Sequence, residues 1–583
     1  MQAAPSIPTL PLLPLLPAAA RPWVRPIEPV LHKLLIPDAV LAHVDAARGS
    51  GSGARFAARL LTSLDIGFDV DPRELRRVPA SGRAVVVCNH PYGIVEGLIL
   101  MAMLERVRAD TRILANRILA AIPEVRQQII PVNPLYAGAQ PENRAPLRAA
   151  IAWLTQGGLL SIFPAGEVAH PTWNHYTVTD PPWKTTAVRL ALRARSSIVP
   201  IFFEGANSVG FQLAGVLHPA LRTVSLPREF YRLRGTTIRL RVGNPIPHAA
   251  LADYGDAEKS TGYVRARTYF LANRSPRPAV RKEMAAEPVG VPAAADPARL
   301  LSDEIQALPA GCQLTGNRDF EVYLARAAQI PRLLAEIGRC RELAFRAVGE
   351  GTGRARDLDS FDQHYQHLIL WSRKDSRLAG SYRLAFTEDV LPLRGIRGLY
   401  SSTLFRFKKQ FFDQLGPAVE LGRSFVAPEY QRSFHPLLLL WKGILRAVES
   451  RAGVRAAFGA VSISREYQEA SRLAMAAYLS RHTRHALARM VVPRCPLRVM
   501  PFRGAGVRPL AEAAASLDGI SGAIADIELD SKGVPVLLRH YVKTGGRLLA
   551  LSIDRQFADV LDALLILELR NAPAGVLERC LME

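Results

Sequence analysis

The stretch Asn89-His90-Pro91-Tyr92-Gly93-Ile94-Val95-Glu96-Gly97 lies between the apolar runs at residues 84–87 and 98–103. The first run predicts a buried strand, and the second predicts a helix whose first turn contains Glu96. A histidine at the end of a strand and a carboxylate at the start of the next helix can meet in space. Such a pair can deprotonate a hydroxyl group, because the carboxylate fixes the imidazole tautomer and stabilises the imidazolium that forms. Alternatively, His90 is a structural histidine whose ring is satisfied by hydrogen bonds.

The sequence around this stretch alternates between strand-like and helix-like segments, which predicts an α/β layer fold. The segments predicted as strands are residues 83–88, 159–163, 198–203 and 237–242. The segments predicted as helices are residues 98–107, 145–154 and 185–194. We therefore expect His90 to lie at the edge of a sheet that is covered by helices.

Further blocks follow in a fixed order. They are Phe163-Pro164-Ala165-Gly166-Glu167, Lys184 ahead of the apolar segment 187–191, and Ile198-Val199-Pro200-Ile201. Over residues 60–260 this order resembles the glycerolipid O-acyltransferase (lysophospholipid acyltransferase) family. That family has a histidine and a nearby acidic residue, usually Asp rather than Glu, followed by a Phe-Pro-Glu-Gly block. The resemblance implies that His90 and Glu96 are catalytic. It also implies a substrate-binding set formed by Asn89, Phe163, Pro164, Gly166, Glu167 and Lys184.

Two departures from that family concern phosphate binding. Residues 129–134, which match the block where members that use glycerol phosphate often carry an arginine, contain none. Val168-Ala169-His170 stands where the family often has an arginine after its Phe-Pro-Glu-Gly block. A guanidinium binds phosphate oxygens bidentately. We therefore expect an acceptor other than lysophosphatidic acid, although the nearby Arg126 leaves phosphate binding open.

The second half of the chain has a different order of predicted elements. Residues 331–348 and 436–449 read as helices, residues 367–371 and 379–385 as a hairpin, and residues 418–426 and 456–462 as strands. The succession of strand, loop, helix and strand is similar to the core of the GNAT-like N-acyltransferase fold. In that fold the strand backbone holds the pantetheine arm of the acyl donor, and the N-terminus of the helix faces phosphate. We therefore expect a GNAT-like domain after the first α/β domain.

Four blocks in this half point to a specific family. They are Phe345-Arg346-Ala347-Val348-Gly349-Glu350-Gly351, Asp357-Leu358-Asp359-Ser360-Phe361-Asp362, Val419-Glu420-Leu421-Gly422-Arg423-Ser424-Phe425-Val426 and Pro428-Glu429-Tyr430-Gln431-Arg432. Between residues 341 and 554 they resemble the ornithine N-acyltransferase (hemolysin-like) family, which is distantly related to acyl-homoserine-lactone synthases. The resemblance implies that Glu420 and Arg423 are catalytic and that Arg432 binds substrate.

Glu420 and Arg423 would point to opposite faces of a regular strand, because side chains alternate along it. Gly422 between them permits a bulge that re-aims one of the two side chains. A carboxylate in such a place can take a proton from an attacking amine, and an arginine can hold the carboxylate of the acceptor. Alternatively, the two residues form a surface ion pair on an edge strand.

We expect a thioester as the acyl donor and no further cofactor or metal. The Gly-rich pyrophosphate loop of such enzymes is absent, since residues 431–435 contain no glycine. Acyl-carrier protein presents one phosphate and CoA a pyrophosphate, so the sequence favours acyl-carrier protein over acyl-CoA as donor. Asp357, Asp359 and Asp362 lack the glycine and the final glutamate that a calcium-binding loop requires.

Charge and hydropathy suggest where the protein acts. The 583 residues include 74 Lys and Arg against 52 Asp and Glu, which gives a net charge of +22. Such a chain is attracted to anionic surfaces, although a GC-rich genome explains part of the excess. Without a nucleic-acid motif, we expect an anionic membrane surface and acyl-carrier protein as partners, and no nucleic acid.

No apolar run reaches the ~18 residues of a membrane span, and the five scattered cysteines indicate a reducing cytoplasm. We therefore expect peripheral attachment to the cytoplasmic face of a bacterial inner membrane.

The composition predicts four segments. They are a Pro- and Leu-rich leader (residues 1–50), an O-acyltransferase domain (51–274), a Pro- and Ala-rich linker (275–299) and a GNAT-like domain (300–583). The proline spacing in the leader favours polyproline II over helix. The leader is either disordered or in contact with lipid.

An O-acyltransferase domain ahead of an ornithine-type N-acyltransferase domain resembles the bifunctional ornithine-lipid synthases. The resemblance implies that the second half joins an amino acid, ornithine in that family, to a 3-hydroxyacyl chain. The first half then acylates the 3-hydroxyl of the resulting lyso-ornithine lipid. One alternative is a lysophospholipid (1-acylglycerol-3-phosphate) acyltransferase with a degenerate second domain. Another is a non-catalytic membrane-binding scaffold.

Overall fold

The computed structural model of the protein describes residues 38–49, 51, 53–133, 142–172, 175–217, 219–275, 292–431, 435–497, 506–555, 557 and 559–569. The chain divides into two compact units. The first comprises Met1–Arg274 and Ala513–Ile527, and the second comprises Ser275–Glu512 and Glu528–Glu583. Most of the predicted leader and most of the predicted linker lie outside the described residues.

A seven-stranded sheet forms the frame of the first unit, in the order β1-β9-β8-β2-β5-β3-β4. Neighbouring strands run parallel except β8 and β9, which are antiparallel. The nine strands described in this unit, of which β6 and β7 form a separate ribbon, are β1 (Gly67–Asp69), β2 (Ala84–Cys88), β3 (Thr111–Asn116), β4 (Ile129–Val132), β5 (Leu159–Ile162), β6 (His170–Thr172), β7 (His175–Thr179), β8 (Ser197–Phe203) and β9 (Thr237–Val242). The four strands predicted from the sequence are confirmed as β2, β5, β8 and β9.

Ten α-helices are described in the Met1–Arg274 part of this unit. They are α1 (Asp38–Ala47), α2 (Gly53–Ser63), α3 (Pro72–Leu75), α4 (Val95–Leu104), α5 (Arg144–Thr155), α6 (Thr186–Ala194), α7 (Val209–Leu217), α8 (Pro219–Arg232), α9 (His248–Ala252) and α10 (Ala257–Phe270). All five residues of β2 are buried, as expected of a central parallel strand that is covered on both faces. Its carboxyl end therefore fixes the place of Asn89 and His90.

An eight-stranded sheet forms the frame of the second unit, in the order β10-β11-β12-β13-β15-β16-β19-β18. The strands described in this unit are β10 (Gln313–Gly316), β11 (Phe320–Arg326), β12 (Gln366–Ser372), β13 (Arg377–Phe386), β14 (Phe405–Phe407), β15 (Ala418–Val426), β16 (Ala456–Ile463), β17 (Val491–Pro493), β18 (Arg547–Asp554) and β19 (Val560–Glu568). Within the sheet, β15 and β16 are parallel and pair only over residues 418–420 and 456–458. Beyond Glu420 this pairing ends, and a narrow cavity lies beside Leu421, Phe458 and Gly459.

The remaining helices are α11 (Ala298–Gln306), α12 (Pro331–Ala347), α13 (Thr387–Arg394), α14 (Ser401–Leu404), α15 (Phe411–Leu415), α16 (His435–Glu449), α17 (Glu469–His482), α18 (Val507–Ala513), α19 (Leu517–Ile527) and α20 (Val536–Lys543). The predicted helices at residues 331–348 and 436–449 are confirmed as α12 and α16. Among the described residues, no helix has both the length and the hydropathy needed to cross a bilayer.

Helix α19 packs in the first unit, although it comes from the C-terminal part of the chain. Its Asp526 is buried and accepts hydrogen bonds from Arg267 Nε and from the Asn244 backbone amide, each at 2.7 Å. Removing one partner of a buried ion pair costs ~3–5 kcal/mol, because the other charge is left uncompensated. The helix is therefore a structural part of the first unit, which the sequence did not predict.

Candidate active sites

The turn between β2 and α4 brings His90 and Glu96 together. His90 Nδ1 lies 3.3 Å from Glu96 Oε1, and the His90 side chain is 15% exposed while that of Glu96 is fully buried. The carboxylate thus lies behind the imidazole ring, and the ring keeps partial access to solvent. This is the arrangement that the sequence predicted from the strand, turn and helix.

Glu96 is fixed by the amino-terminal turn of α4. The Tyr92 amide donates to Glu96 Oε1 at 2.6 Å, and the Gly93 amide donates to Oε2 at 2.9 Å. Gly93 has a φ of +99°, and a Cβ there would lie 2.6 Å from Leu226 Cδ2 on α8. Only glycine fits this turn without movement of its neighbours. Helix α4 begins at Val95, so Glu96 lies in its first turn, as the sequence predicted, and the helix starts three residues before the apolar segment at residue 98.

Burial and charge act in opposite directions on the two groups. Burial by itself would lower the pKa of His90, but the charge of Glu96, 3.3 Å away, and the charge of Asp180 together raise it. Burial would raise the pKa of Glu96, but His90 and the turn amides lower it. The carboxylate therefore stays ionised and strengthens His90 as a base.

Asp180 is a buried residue of this site that the sequence did not single out. Its Oδ1 accepts from the His90 backbone amide at 3.0 Å, and its Oδ2 accepts from Trp183 Nε1 at 2.8 Å. Burial is the main reason why the pKa of Asp180 is raised. Asp180 fixes the backbone that carries the imidazole, so it is a positioning residue. The sequence feature that could have identified Asp180 is its place directly before Pro181-Pro182, shortly ahead of Lys184.

The Phe-Pro block lies against the histidine. The Phe163 ring stacks on the His90 ring with centroids 4.3 Å apart. The Pro164 carbonyl accepts from the Lys184 amide at 3.0 Å, and the Gly166 amide donates to the Phe163 carbonyl at 3.1 Å. Two predicted blocks that are distant in sequence therefore meet beside His90.

Charged residues of the predicted substrate-binding set lie at the outer side of this block. Glu167 is half-exposed and lies 3.4 Å from an Arg222 nitrogen of α8. Burial lowers the pKa of Lys184, and the charge of Glu167 opposes that shift. Lys184 and Glu167 are thus electrostatic neighbours.

Asn89 has a different place from the rest of the predicted set. It is buried, its amide nitrogen donates to the Phe203 carbonyl at 2.9 Å, and its oxygen accepts from the Phe203 amide at 2.7 Å. Asn89 thereby joins the ends of β2 and β8. This observed role positions the neighbouring His90.

In the second unit, Glu420 is buried and has three donors. Tyr365 Oη donates to Oε2, the Tyr400 amide donates to Oε2 at 3.1 Å, and the Ser401 amide donates to Oε1 at 2.7 Å. The carboxylate thus fixes the backbone at residues 400–401. Its oxygens are directed at these donors.

Arg423 lies in the bulge that the sequence predicted at Gly422. Between β13 and β15 the register shifts, and Arg423 itself has a φ of +47°. Its guanidinium lies 4.6 Å from the Phe557 ring centre and 5.1 Å from the Tyr400 ring centre. A left-handed backbone at a non-glycine residue is strained. The bulge is confirmed, and it gives Arg423 a direction that a regular strand would not.

The aspartates considered as a calcium loop bind arginines instead. Asp357 and Asp362 each lie 3.0 Å from Arg341, and Asp359 lies 2.6 Å from Arg383. Arg423 is 3.6 Å from Asp357. No cluster of metal ligands occurs among the described residues. Arg432 lies outside the described residues.

The comparisons with known proteins agree with the two-unit organisation. The family described as "Acyltransferase" matches residues 63–276, and the family described as "Acetyltransferase (GNAT) domain" matches residues 340–442. The first match contains His90 and Glu96, and the second contains Glu420 and Arg423. The predicted fold class, a glycerolipid acyltransferase-type α/β domain followed by a GNAT-like domain, is confirmed. Both families are acyltransferases, which confirms the predicted enzyme class.

Two relatives, one named as an N-acyltransferase and the other as an O-acyltransferase, are similar to parts of the chain. A glycine N(alpha)-acyltransferase of Phocaeicola vulgatus is 30% identical over 198 residues, which are 32% of this chain and 60% of that protein. The chain therefore spans less than two thirds of that relative. A lyso-glycine lipid O-acyltransferase of the same organism is 27% identical over 202 residues, 33% of this chain and 70% of that protein. Among solved structures, the 1-acyl-sn-glycerophosphate acyltransferase PlsC of Thermotoga maritima has 15% identity and a TM-score of 0.26, with 46% of this chain and 98% of that chain covered.

Proposed function

We propose that the protein is a bifunctional acyltransferase that makes an aminolipid. The second unit joins the amine of an amino acid to a 3-hydroxyacyl chain, and the first unit then acylates the 3-hydroxyl. The observation that carries the proposal is the His90–Glu96 pair at 3.3 Å in a unit that precedes a GNAT domain. The names of the relatives support an aminolipid product.

The ester-forming step suits the first site. The neutral imidazole of His90 takes the proton of the lyso-lipid hydroxyl while the oxygen attacks the thioester carbonyl. Glu96 stabilises the imidazolium, and the tetrahedral intermediate then expels the thiolate, which takes the proton from His90. General-base catalysis of this kind contributes roughly 10²–10⁴-fold. The acceptor has no phosphate, which fits the absence of the family's arginines at residues 129–134.

The amide-forming step suits the second site. The point where the pairing of β15 and β16 ends, with its narrow cavity, is where the acyl-pantetheine arm of a GNAT donor would bind. Arg423 points out of the bulge and can bind the carboxylate of the acceptor amino acid. We propose acyl-carrier protein as the partner that presents the donor, because its acidic surface complements a chain with a net charge of +22.

The two best-supported candidates for the amino acid are ornithine and glycine. The resemblance of the second-half blocks favours ornithine, and the names of the relatives favour glycine. We retain ornithine as the proposed acceptor on the strength of the blocks around Glu420 and Arg423.

Expression of the chain in a bacterium without aminolipids tests the proposal. We expect a new phosphate-free, ninhydrin-positive lipid, in which mass spectrometry finds one amide-linked 3-hydroxyacyl chain, one ester-linked chain and the amino acid. The alternative activity, acylation of 1-acylglycerol-3-phosphate, would instead increase phosphatidic acid and give no new amine-containing lipid. That result would contradict the proposed function.

We propose that the first unit lies on an anionic membrane at the cytoplasmic face of the inner membrane. Helix α7 exposes Val209, Leu213 and Val216 at helical spacing, so that they form one apolar stripe. The adjacent helix α8 carries arginines and contacts the catalytic turn through Leu226 and Gly93. An apolar stripe with nearby cations fits the headgroup region of anionic lipid. It would hold the lyso-lipid acceptor close to His90.

A further inference from the structure

Three buried carboxyl groups of the second unit are not used by the steps described above. Glu350, Asp554 and Asp562 are 5%, 6% and 6% exposed. Asp562 on β19 is directly opposite Ser462 of β16 in the register of the sheet. Opposite residues of antiparallel strands project to the same face with Cβ atoms ~4.5–5.5 Å apart. Ser462 Oγ in turn donates to Glu350 Oε2 at 2.8 Å, so Asp562 and Glu350 lie on the same side of the sheet.

Asp554 and Arg423 complete the group. Asp562 is also opposite Ser552 of β18, and Asp554 projects to the same face because it lies two residues further along that strand. The Tyr400 hydroxyl donates to Asp554 Oδ2 at 3.4 Å, and the Phe557 amide donates to Oδ1 at 3.1 Å. Tyr400 and Phe557 are the same two residues whose rings lie against Arg423. The arginine and the carboxyl groups are therefore close together on one side of the sheet.

Asp562 has no hydrogen-bond or ion-pair partner among the described residues, although its side chain is more than nine-tenths buried. A buried polar group without a partner is costly, and a buried charge is more so. Burial and the neighbouring Asp554 and Glu350 raise the pKa of Asp562 well above its usual range, while Arg423 opposes the shift. The three carboxyl groups thus outnumber Arg423, the cation whose charge opposes the shift. Glu420 differs from it, since three donors already occupy its carboxylate.

We propose that Asp562, supported by Glu350 and Asp554, binds the ammonium group of the acceptor amino acid whose carboxylate is held by Arg423. The inference deepens the proposed N-acylation and rests on it. A zwitterion needs one cation and one anion a short distance apart, and these residues supply both. Two of the acids, Asp554 and Asp562, lie beyond residue 442, where the match to the GNAT family ends.

The same carboxyl group can remove the proton that blocks the reaction. The ammonium gives one proton to Asp562, and the freed lone pair attacks the carbonyl carbon of the acyl thioester. The C–N bond forms, the C–S bond breaks, and the leaving thiolate takes the second proton that the nitrogen loses. Asp562 then releases its proton to solvent. A base with a raised pKa is better matched to an ammonium donor than an ordinary aspartate.

Binding to the full chain, measured without the acyl donor, tests the subsite. The probes are glycine, ornithine and glycolate, which has a hydroxyl in place of the ammonium, and ligand-observed NMR measures their dissociation constants. We expect Asp562→Asn to weaken the binding of the amino acids by about 10–100-fold, since a charge-assisted hydrogen bond is lost. Binding of glycolate should stay the same. Asp559→Asn is the matched control, because Asp559 is half-exposed and pairs with Arg465. This variant should leave the dissociation constants of the amino acids and of glycolate unchanged.

The inference is overturned if Asp562→Asn binds the amino acids as the wild type does, or if the wild type binds no amino acid. If Asp562→Asn does not fold, Glu350→Gln and Asp554→Asn are measured against the same criterion. Failure of the proposed function gives another result: Asp562-dependent binding of an amino acid, but no N-acyl product when a 3-hydroxyacyl thioester is added. The comparison of glycine with ornithine then identifies the acceptor.

Discussion

The two sites are assembled in opposite ways. In the first, His90 and Glu96 lie six residues apart, and one strand, one turn and one helix bring them together. In the second, Arg423 lies near Asp554 and Asp562 only because four strands, β13, β15, β18 and β19, carry them to the same part of the sheet. A local site withstands changes elsewhere in the fold, whereas a site made from distant strands depends on the register of each. The chemistry of the first site should therefore be lost by a change in one residue, and that of the second should decline in steps.

The strongest test of this contrast is His90→Ala. The hydroxyl then has no base, so we expect O-acylation to fall by roughly 10²–10⁴-fold and the lyso-lipid to accumulate in cells. His43→Ala is the matched control, since His43 is at the surface and bonds Ser63. Radiolabelled acyl transfer to synthetic lyso-lipid measures the rate. A His90→Ala rate within a few-fold of the wild type would show that the base lies elsewhere.

Arg423→Ala should have the next largest effect. It removes the proposed contact to the acceptor carboxylate, and we expect N-acylation to fall by about 10–100-fold, mainly through a raised KM for the amino acid. Arg446→Ala is the control, because Arg446 is half-exposed and pairs with Glu449 within its own helix. In cells both products should disappear, and added lyso-lipid should restore the ester. Lack of that rescue in a folded variant would contradict independent sites.

The same contrast explains what the sequence could predict. Strand β9 and strand β15 have the predicted bounds, because continuous apolar or alternating runs decide them locally. The bulge at Gly422 was also visible as a glycine between two charged residues. Asp180 and Asp562 were not found, because each is an ordinary aspartate until the fold buries it beside His90 or Arg423. For Glu420 the opposite holds. The blocks identified it as a candidate base, but only the fold reveals that three hydrogen-bond donors already contact its carboxylate.

A smaller effect is expected at the surface of the first unit. Leu213→Ser should remove roughly 1–2 kcal/mol of apolar transfer into lipid, about 5–30-fold in binding to anionic vesicles. Val492→Ser, at an exposed apolar residue of the second unit, is the control. Flotation of the full chain with vesicles at low and high salt separates the apolar from the electrostatic contribution to binding, since salt screens only the charges. Unchanged binding of Leu213→Ser at high salt would exclude the α7 stripe as the salt-resistant contact.

The smallest change tests the charge of Glu96 while its shape is kept. His90 must be neutral to act as a base, so O-acylation should fall as the pH decreases through its pKa, which the charge of Glu96 holds above the usual value of a histidine. Glu96→Gln removes the charge that raises the pKa, and burial, which lowers it, then dominates. The acid limb of the pH–rate profile should move to lower pH, while the rate on the plateau falls because the imidazole loses its ionic orientation. A lower plateau with an unmoved limb would mean that Glu96 only orients the ring. An acid limb that moves to higher pH would contradict the assignment of His90 as the titrating base.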